Sequence, residues 1–259
     1  VGSFGEVYVV DWGIAVSVRE GGVRDVPLVK DIAAIEGTPA YMAPEMAAAA
    51  GDAIDARSDV YLLGGMLHEV LTGLPPHAGD SILAVLTNAF ASRPPEFDEG
   101  TPRGLVDICR RAMARFPEDR YASALELADA IDEFMVRRGS LELTEVAEAR
   151  LARLEELVAA EARDDRDAEK LYATFSECRF AFEHALESWA ENEAAVVGRE
   201  RALLLMIDYE LGRDAPAAAK SLLGSLRKPP AALVQRVEAA LIRKREAEAR
   251  LAALERDAD

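Results

Sequence analysis

Asp11 closes a β-branched and aromatic run, residues 6–10, and stands directly before Trp12-Gly13. A turn at that point can project its carboxylate into a cleft. A hard divalent cation such as Mg²⁺ prefers oxygen ligands, so an aimed carboxylate suits metal work on phosphate groups. The hydroxyl side chains between Asp11 and Glu45 are Ser17, Thr38 and Tyr41, and residues 19–30 contain none. The histidines, His68, His77 and His184, are scattered, and none has a Cys or His at ligand spacing, which argues against a zinc-type site. Cys109 and Cys178 are too few and too far apart for a disulfide framework and read as reduced, buried thiols.

Asp11-Trp12-Gly13 followed by Gly37-Thr38-Pro39-Ala40-Tyr41-Met42-Ala43-Pro44-Glu45 resembles the metal-binding Asp-Phe-Gly and the Ala-Pro-Glu motifs of protein kinases, in order and separation. Trp12 replaces the usual Phe and still offers a large apolar anchor. Arg57-Ser58-Asp59-Val60-Tyr61-Leu62-Leu63-Gly64 and Phe116-Pro117-Glu118-Asp119-Arg120-Tyr121 extend the match. The Gly-Thr-x-x-Tyr-x-Ala-Pro-Glu pattern is similar to that of Ser/Thr kinases rather than Tyr kinases.

The resemblance implies phosphoryl transfer from Mg-ATP to protein hydroxyls, with ATP and Mg²⁺ as cofactors of the intact enzyme. Asp11 would be the catalytic carboxylate that holds Mg²⁺ and the nucleotide, with Gly13 behind it. Thr38 would line the substrate pocket. Glu45 and Arg120 would form a buried ion pair, since an unpaired buried charge is costly. Asp59 would open the large central helix and hold the backbone of the catalytic loop. Ser17 and Thr38 are the candidate phosphosites.

On this reading the chain begins just after the catalytic loop. It carries the substrate-side half, lacks the ATP-side lobe and catalytic base, and is expected to be inactive alone. Gly2-Ser3-Phe4-Gly5-Glu6-Val7 also looks like the tail of a glycine-rich phosphate loop, which would mean an internal deletion before Asp11. The preferred alternative is the hairpin that precedes the metal-binding Asp, with residues 2–5 as its turn and 6–10 as its strand.

The 259 residues carry a net charge of −17 and a pI near 4.7, which argues against a nucleic-acid partner. Arg outnumbers Lys and Ala is abundant, a composition that points to a bacterial GC-rich genome. No apolar run is long enough to span a membrane. A cytoplasmic location is expected, with any tether in a missing segment.

The fold class expected is mainly α: a kinase C-terminal lobe with a β-hairpin remnant over residues 1–138, then a helical region over 139–259. Val60, Leu63, Leu67, Val70 and Leu71 give helical spacing from Asp59, stopped by Gly73-Leu74-Pro75-Pro76. Asp80 is the expected cap of a helix over 81–88, and two more helices cover 103–115 and 123–136. The last begins with the capping-box pair Ser123 and Glu126 and ends at Arg137-Arg138-Gly139-Ser140.

Beyond that boundary, Leu171, Phe175, Cys178, Phe182 and Leu186 form an apolar helix face, and Leu203, Leu204, Ile207 and Leu211 mark the next helix. Asp214 is the expected cap of a third helix with Pro216 in its first turn. Residues 181–186 and 217–222 recur about one 34-residue unit apart, which resembles a degenerate tetratricopeptide array; a plain helical bundle fits the pattern equally. Residues 233–254 read as a long charged helix with an incomplete apolar seam. Protein substrates are the implied partners of the first region, and a peptide or protein partner that of the second. The alternatives to an enzyme fragment are a pseudokinase and a helical protein-binding scaffold.

Overall fold

The computed structural model describes residues 7–20, 26–31, 36–93, 95–160 and 165–258. The chain divides into two compact units, Val1–Phe134 and Met135–Asp259. Helix dominates both, and the one β-pairing among the described residues is a parallel bridge between Ser17 and Leu28.

In the first unit the helices are α1 (Pro44–Ala47), α2 (Ala56–Thr72), α3 (Ile82–Ala91) and α4 (Arg103–Ala112), with the start of α5 (Ala124–Ala159). The cap of α2 is Asp55, whose carboxylate accepts from Arg57 N at 2.7 Å, while Ser58 Oγ accepts from Asp55 N. This reciprocal arrangement satisfies amides that no preceding turn can bond. Gly73 ends the helix in the left-handed region at φ 75°, where a residue without Cβ carries no steric cost.

The fully buried residues of α2 include Val60, Tyr61, Gly64, Gly65 and His68; of the expected stripe, Val60 is buried and Leu67 and Leu71 pack against the core, while Leu63 and Val70 do not. Leu63, Met66 and Val70 are exposed, Val70 to 82 %. Gly64 explains the rotation: a Cβ there would sit 2.8 Å from both Ala112 Cβ and Met113 Cγ, so the missing side chain lets α2 and α4 approach closely. Tyr61, Cys109 and Met113 fill one side of this contact, and Val60, Ile108, Ala112 and Leu127 the other.

The expected strand over residues 6–10 is not formed. Val7, Tyr8, Val9 and Val10 carry no strand pairing and are exposed, because no neighbouring strand satisfies their backbone. The turn expected at residues 2–5, and residue 6, lie outside the described residues. Ser81, not Asp80, caps α3 by accepting from Ala84 N. Ser123 and Glu126 do cap α5: Ser123 Oγ accepts from Glu126 N, and the Glu126 carboxylate accepts from Ala122 N.

α5 does not end at 137–140 but runs to Ala159. A helical Gly139 costs only about 1 kcal/mol, and the apolar period resumes beyond it with Leu143, Ala147, Leu151 and Leu154.

The second unit contains the rest of α5 with α6 (Asp165–Ser188), α7 (Glu193–Gly212), α8 (Pro216–Leu223) and α9 (Ala231–Ala258). Its core joins Leu151, Leu154, Leu171, Phe175, Cys178, Phe182, Leu203, Met206 and Ile207. Asn192 caps α7 and spans to α5, donating to Ser140 Oγ at 2.8 Å and Thr144 Oγ1 at 2.9 Å while accepting from Ala195 N. Asp214 is not a cap: it sits at φ 56° and binds Lys244, and the capping position of α8 is Ala215. No helix among the described residues is long and apolar enough to cross a membrane.

Candidate functional site

Residues 37–45 form the centre of the site. Gly37 holds φ 120°, which opens the segment, and a one-turn 3₁₀ helix over Pro39–Tyr41 follows. Met42, Ala43, Pro44 and Glu45 then bury themselves against α2.

Glu45 is the anchor. Arg120 donates Nη1 to Glu45 Oε1 at 2.7 Å and Nη2 to Oε2 at 2.9 Å, a bidentate pair with side chains 0 % and 6 % exposed for Arg and Glu. Ser58 Oγ donates to the same Oε1 at 2.7 Å. Arg120 spends its remaining donors on the carbonyls of Ala114, Arg57 and Arg115, and its guanidinium lies 4.8 Å from the Tyr61 ring centroid. Burial works against ionisation of Glu45, but the bonds from Arg120 and Ser58 outweigh it and hold the carboxyl below its usual range.

Further ties fix the same segment. Tyr41 Oη donates to Glu69 on α2, and that bond to a carboxylate raises the phenol's pKa. Ala40 O accepts from His77 N at 3.0 Å. The buried His77 ring stands 3.0 Å from Tyr61 Oη, which also meets Ser92 Oγ at 2.9 Å. Burial lowers the pKa of His77 and pushes Tyr61 up to about 12.

A pocket of about 330 Å³ opens beside this segment, lined by Ile14, Gly37, Thr38, Tyr41, Met42, Met46, Leu62, Met66 and Glu69. Its wall is apolar, with Thr38, Tyr41 and Glu69 as the polar groups.

The structure brings together the neighbourhoods of the two motifs. Ile14, three residues after Asp11, lines the pocket with Gly37 and Thr38. Asp11 itself is exposed at φ 63°, and Gly13 N approaches its Oδ1 at 3.4 Å. No hydrogen bond joins Asp11 to Thr38 among the described residues. Thr38 is exposed. Ser17 is half-buried, its hydroxyl donating to Arg19 O at 2.7 Å and its backbone paired with residues 27 and 29. Asp59 is exposed on the first turn of α2 with no hydrogen-bonded partner among the described residues, and local desolvation raises its pKa.

Sequence reasoning missed Ser58, Tyr61, Glu69 and His77. Ser58 and Tyr61 lie inside the matched segment around Asp59, one and two positions away, so helical register from a buried Glu45–Arg120 pair could have found them. His77 gave no such signal.

No family model matches the chain. Serine/threonine-protein kinase PknB of Mycobacterium tuberculosis is 41 % identical over 124 residues, covering 47 % of this chain and 19 % of that protein. The probable serine/threonine-protein kinase PknB of Bifidobacterium longum is 35 % identical over 134 residues, 51 % of this chain and 19 % of the relative. Serine/threonine-protein kinase PknH of Mycobacterium bovis is 36 % identical over 129 residues, 49 % and 20 %. The chain therefore spans about a fifth of the length of these curated relatives. Over about half its own length, this chain is similar to bacterial serine/threonine protein kinases.

Proposed function

We propose that residues 1–138 form the substrate-side part of an ATP-dependent Ser/Thr protein kinase. The observation that carries the reading is the Glu45 anchor. It holds residues 37–45 rigidly against α2 while leaving Thr38 exposed at the mouth of an apolar pocket. A protein substrate would lay its chain along this segment and place an apolar side chain in the pocket. Thr38 would orient the accepting residue, and Tyr41 would be held by Glu69 as part of the wall.

Asp11 would hold Mg²⁺. Its exposed carboxylate fits the habit of that ion, which binds through one or two carboxylates together with substrate phosphates. The ion would supply neutralisation of charge on the transferring phosphoryl group. What the chain's own residues supply is position. Ile14, three residues after Asp11, lines the pocket with Thr38, which supports placing the metal-facing and peptide-facing elements side by side.

No His-Arg-Asp triplet occurs in the 259 residues, so on this reading the chain by itself offers no such base for the accepting hydroxyl. The purified chain, mixed with Mg-ATP and a general protein substrate, should transfer no phosphate. Asp11-dependent transfer by the chain alone would overturn this division of labour.

A second reading, a pseudokinase or helical scaffold, is favoured by one observation. The second unit has a complete core of its own, so it can serve as a binding module whatever the first unit does.

A further inference from the structure

α9 is anchored at one end only. Val237 is buried in the core of the second unit. Lys244 is the last anchoring residue: its ammonium binds the Asp214 carboxylate and the Asp214 carbonyl oxygen at 3.2 Å. Every residue from Arg245 to Leu251 is exposed, and Leu251 and Leu254 are 60 % and 67 % exposed. A helix of this length that buries nothing is marginal in water.

The apolar spacing says what the free end is built for. Val237, Ala240, Lys244, Ala247, Leu251 and Leu254 follow steps of three and four without a break. That is heptad spacing, with Val237, Lys244 and Leu251 at a and Ala240, Ala247 and Leu254 at d; Val237 is taken up by the unit's own core, and Ala247, Leu251 and Leu254 are the exposed part. The flanking charges then fall into place. Arg243 and Arg250 occupy g, Glu248 occupies e, and the sequence continues with Glu255 at the next e.

We propose that the free end of α9 pairs with the same helix of a second copy of this chain, parallel and in register, as a short two-stranded coiled coil. The charges select both occupant and direction. In a parallel pair each g position faces the following e of its partner, which sets Arg243 against Glu248. An antiparallel pair would set g against g and e against e, bringing Arg to Arg and Glu to Glu. Alanine at two d positions lets the helices approach closely but buries little, so the pair forms with a marked concentration dependence. Lys244 at a, held by its own fold, fixes where the paired seam begins.

Sedimentation equilibrium on the whole chain, from micromolar to millimolar concentration, tests this. A monomer–dimer equilibrium is expected. Glu248→Arg or Arg243→Glu alone should abolish the dimer, and the double swap should restore it. Both positions are solvent-exposed, so the fold is not at risk. Leu254→Cys should cross-link the dimer on mild oxidation, since d residues meet across a parallel in-register seam. A monomer throughout the range, a dimer indifferent to the charge reversals, or a dimer that Leu254→Cys fails to cross-link would each overturn the proposal.

Discussion

Removing the guanidinium in Arg120→Ala deletes two bonds to Glu45 and three to the carbonyls of Arg57, Ala114 and Arg115. Glu45 is left buried with Ser58 as its remaining side-chain donor. Because the pair is shielded from water, the small values typical of surface ion pairs do not apply, and breaking one partner of a buried pair costs about 3–5 kcal/mol. The orphaned carbonyls would add to this, but water entering the vacated space offsets part of their loss.

Native-state hydrogen exchange is the suitable assay, since it follows α2 and α4 separately from α7. Protection of α2 and α4 should fall by that amount while α7 is unchanged. The loss should also have a pH signature. The folded-state pKa of Glu45 lies below its ordinary 4.5, so the pair's contribution is full above that pH and is lost as pH falls through the folded value. Arg120→Ala should remove this acid dependence from the first unit. A cost under about 1 kcal/mol, the range of exposed pairs, would refute the reasoning.

His77 gives a second pH dependence: its pKa is depressed below 6.5 by burial, so stability of the first unit should fall as pH drops from about 6.5 toward the folded value. Urea melts of His77→Phe should lack that slope; an identical slope in both proteins would assign it elsewhere. Gly64→Ala drives a Cβ to 2.8 Å from Ala112 Cβ and Met113 Cγ, and should destabilise the α2–α4 contact by about 1–3 kcal/mol in the same melts. A neutral result would mean the two helices separate freely. Asn192→Ala leaves buried Ser140 and Thr144 without its amide and should cost the second unit about 1–3 kcal/mol, read as lost exchange protection in α7 with none lost in α2.

The helical character of the chain was legible because the periodic stretches are long and their stops strong, as at Gly73-Leu74-Pro75-Pro76. The orientation of α2 was legible only in part, through Val60, Leu67 and Leu71. Hydropathy favours Leu63 and Val70, yet the helix turns Gly64 and Gly65 inward, because close approach to α4 needs absent side chains rather than large ones. The helix end read at Gly139 misled for the opposite reason: a glycine and two arginines resemble a stop, but the packing that resumes at Leu143 outweighs the small helical penalty of one glycine. Both capping errors, at Asp80 and Asp214, are shifts of one residue from the true position. The strand expected before Asp11 shows that β-propensity needs a partner strand to act on.

In the site, the Glu45–Arg120 contact could be anticipated because both residues match paired positions of the kinase motifs, and a buried carboxylate needs such a counter-charge. His77, with its ties to Ala40 and Tyr61, could not, since three elements must already be folded to bring it there.

The proposal that this chain is the substrate-side part of a Ser/Thr kinase is tested most directly by completing it. The ATP-side half of a related bacterial kinase, through its catalytic loop, would be joined ahead of this chain, and transfer from labelled ATP to a protein substrate measured. The account predicts transfer that Asp11→Asn abolishes and that Thr38→Ala weakens without loss of ATP binding. A folded, ATP-binding chimera with no transfer, or with transfer indifferent to Asp11, would contradict it.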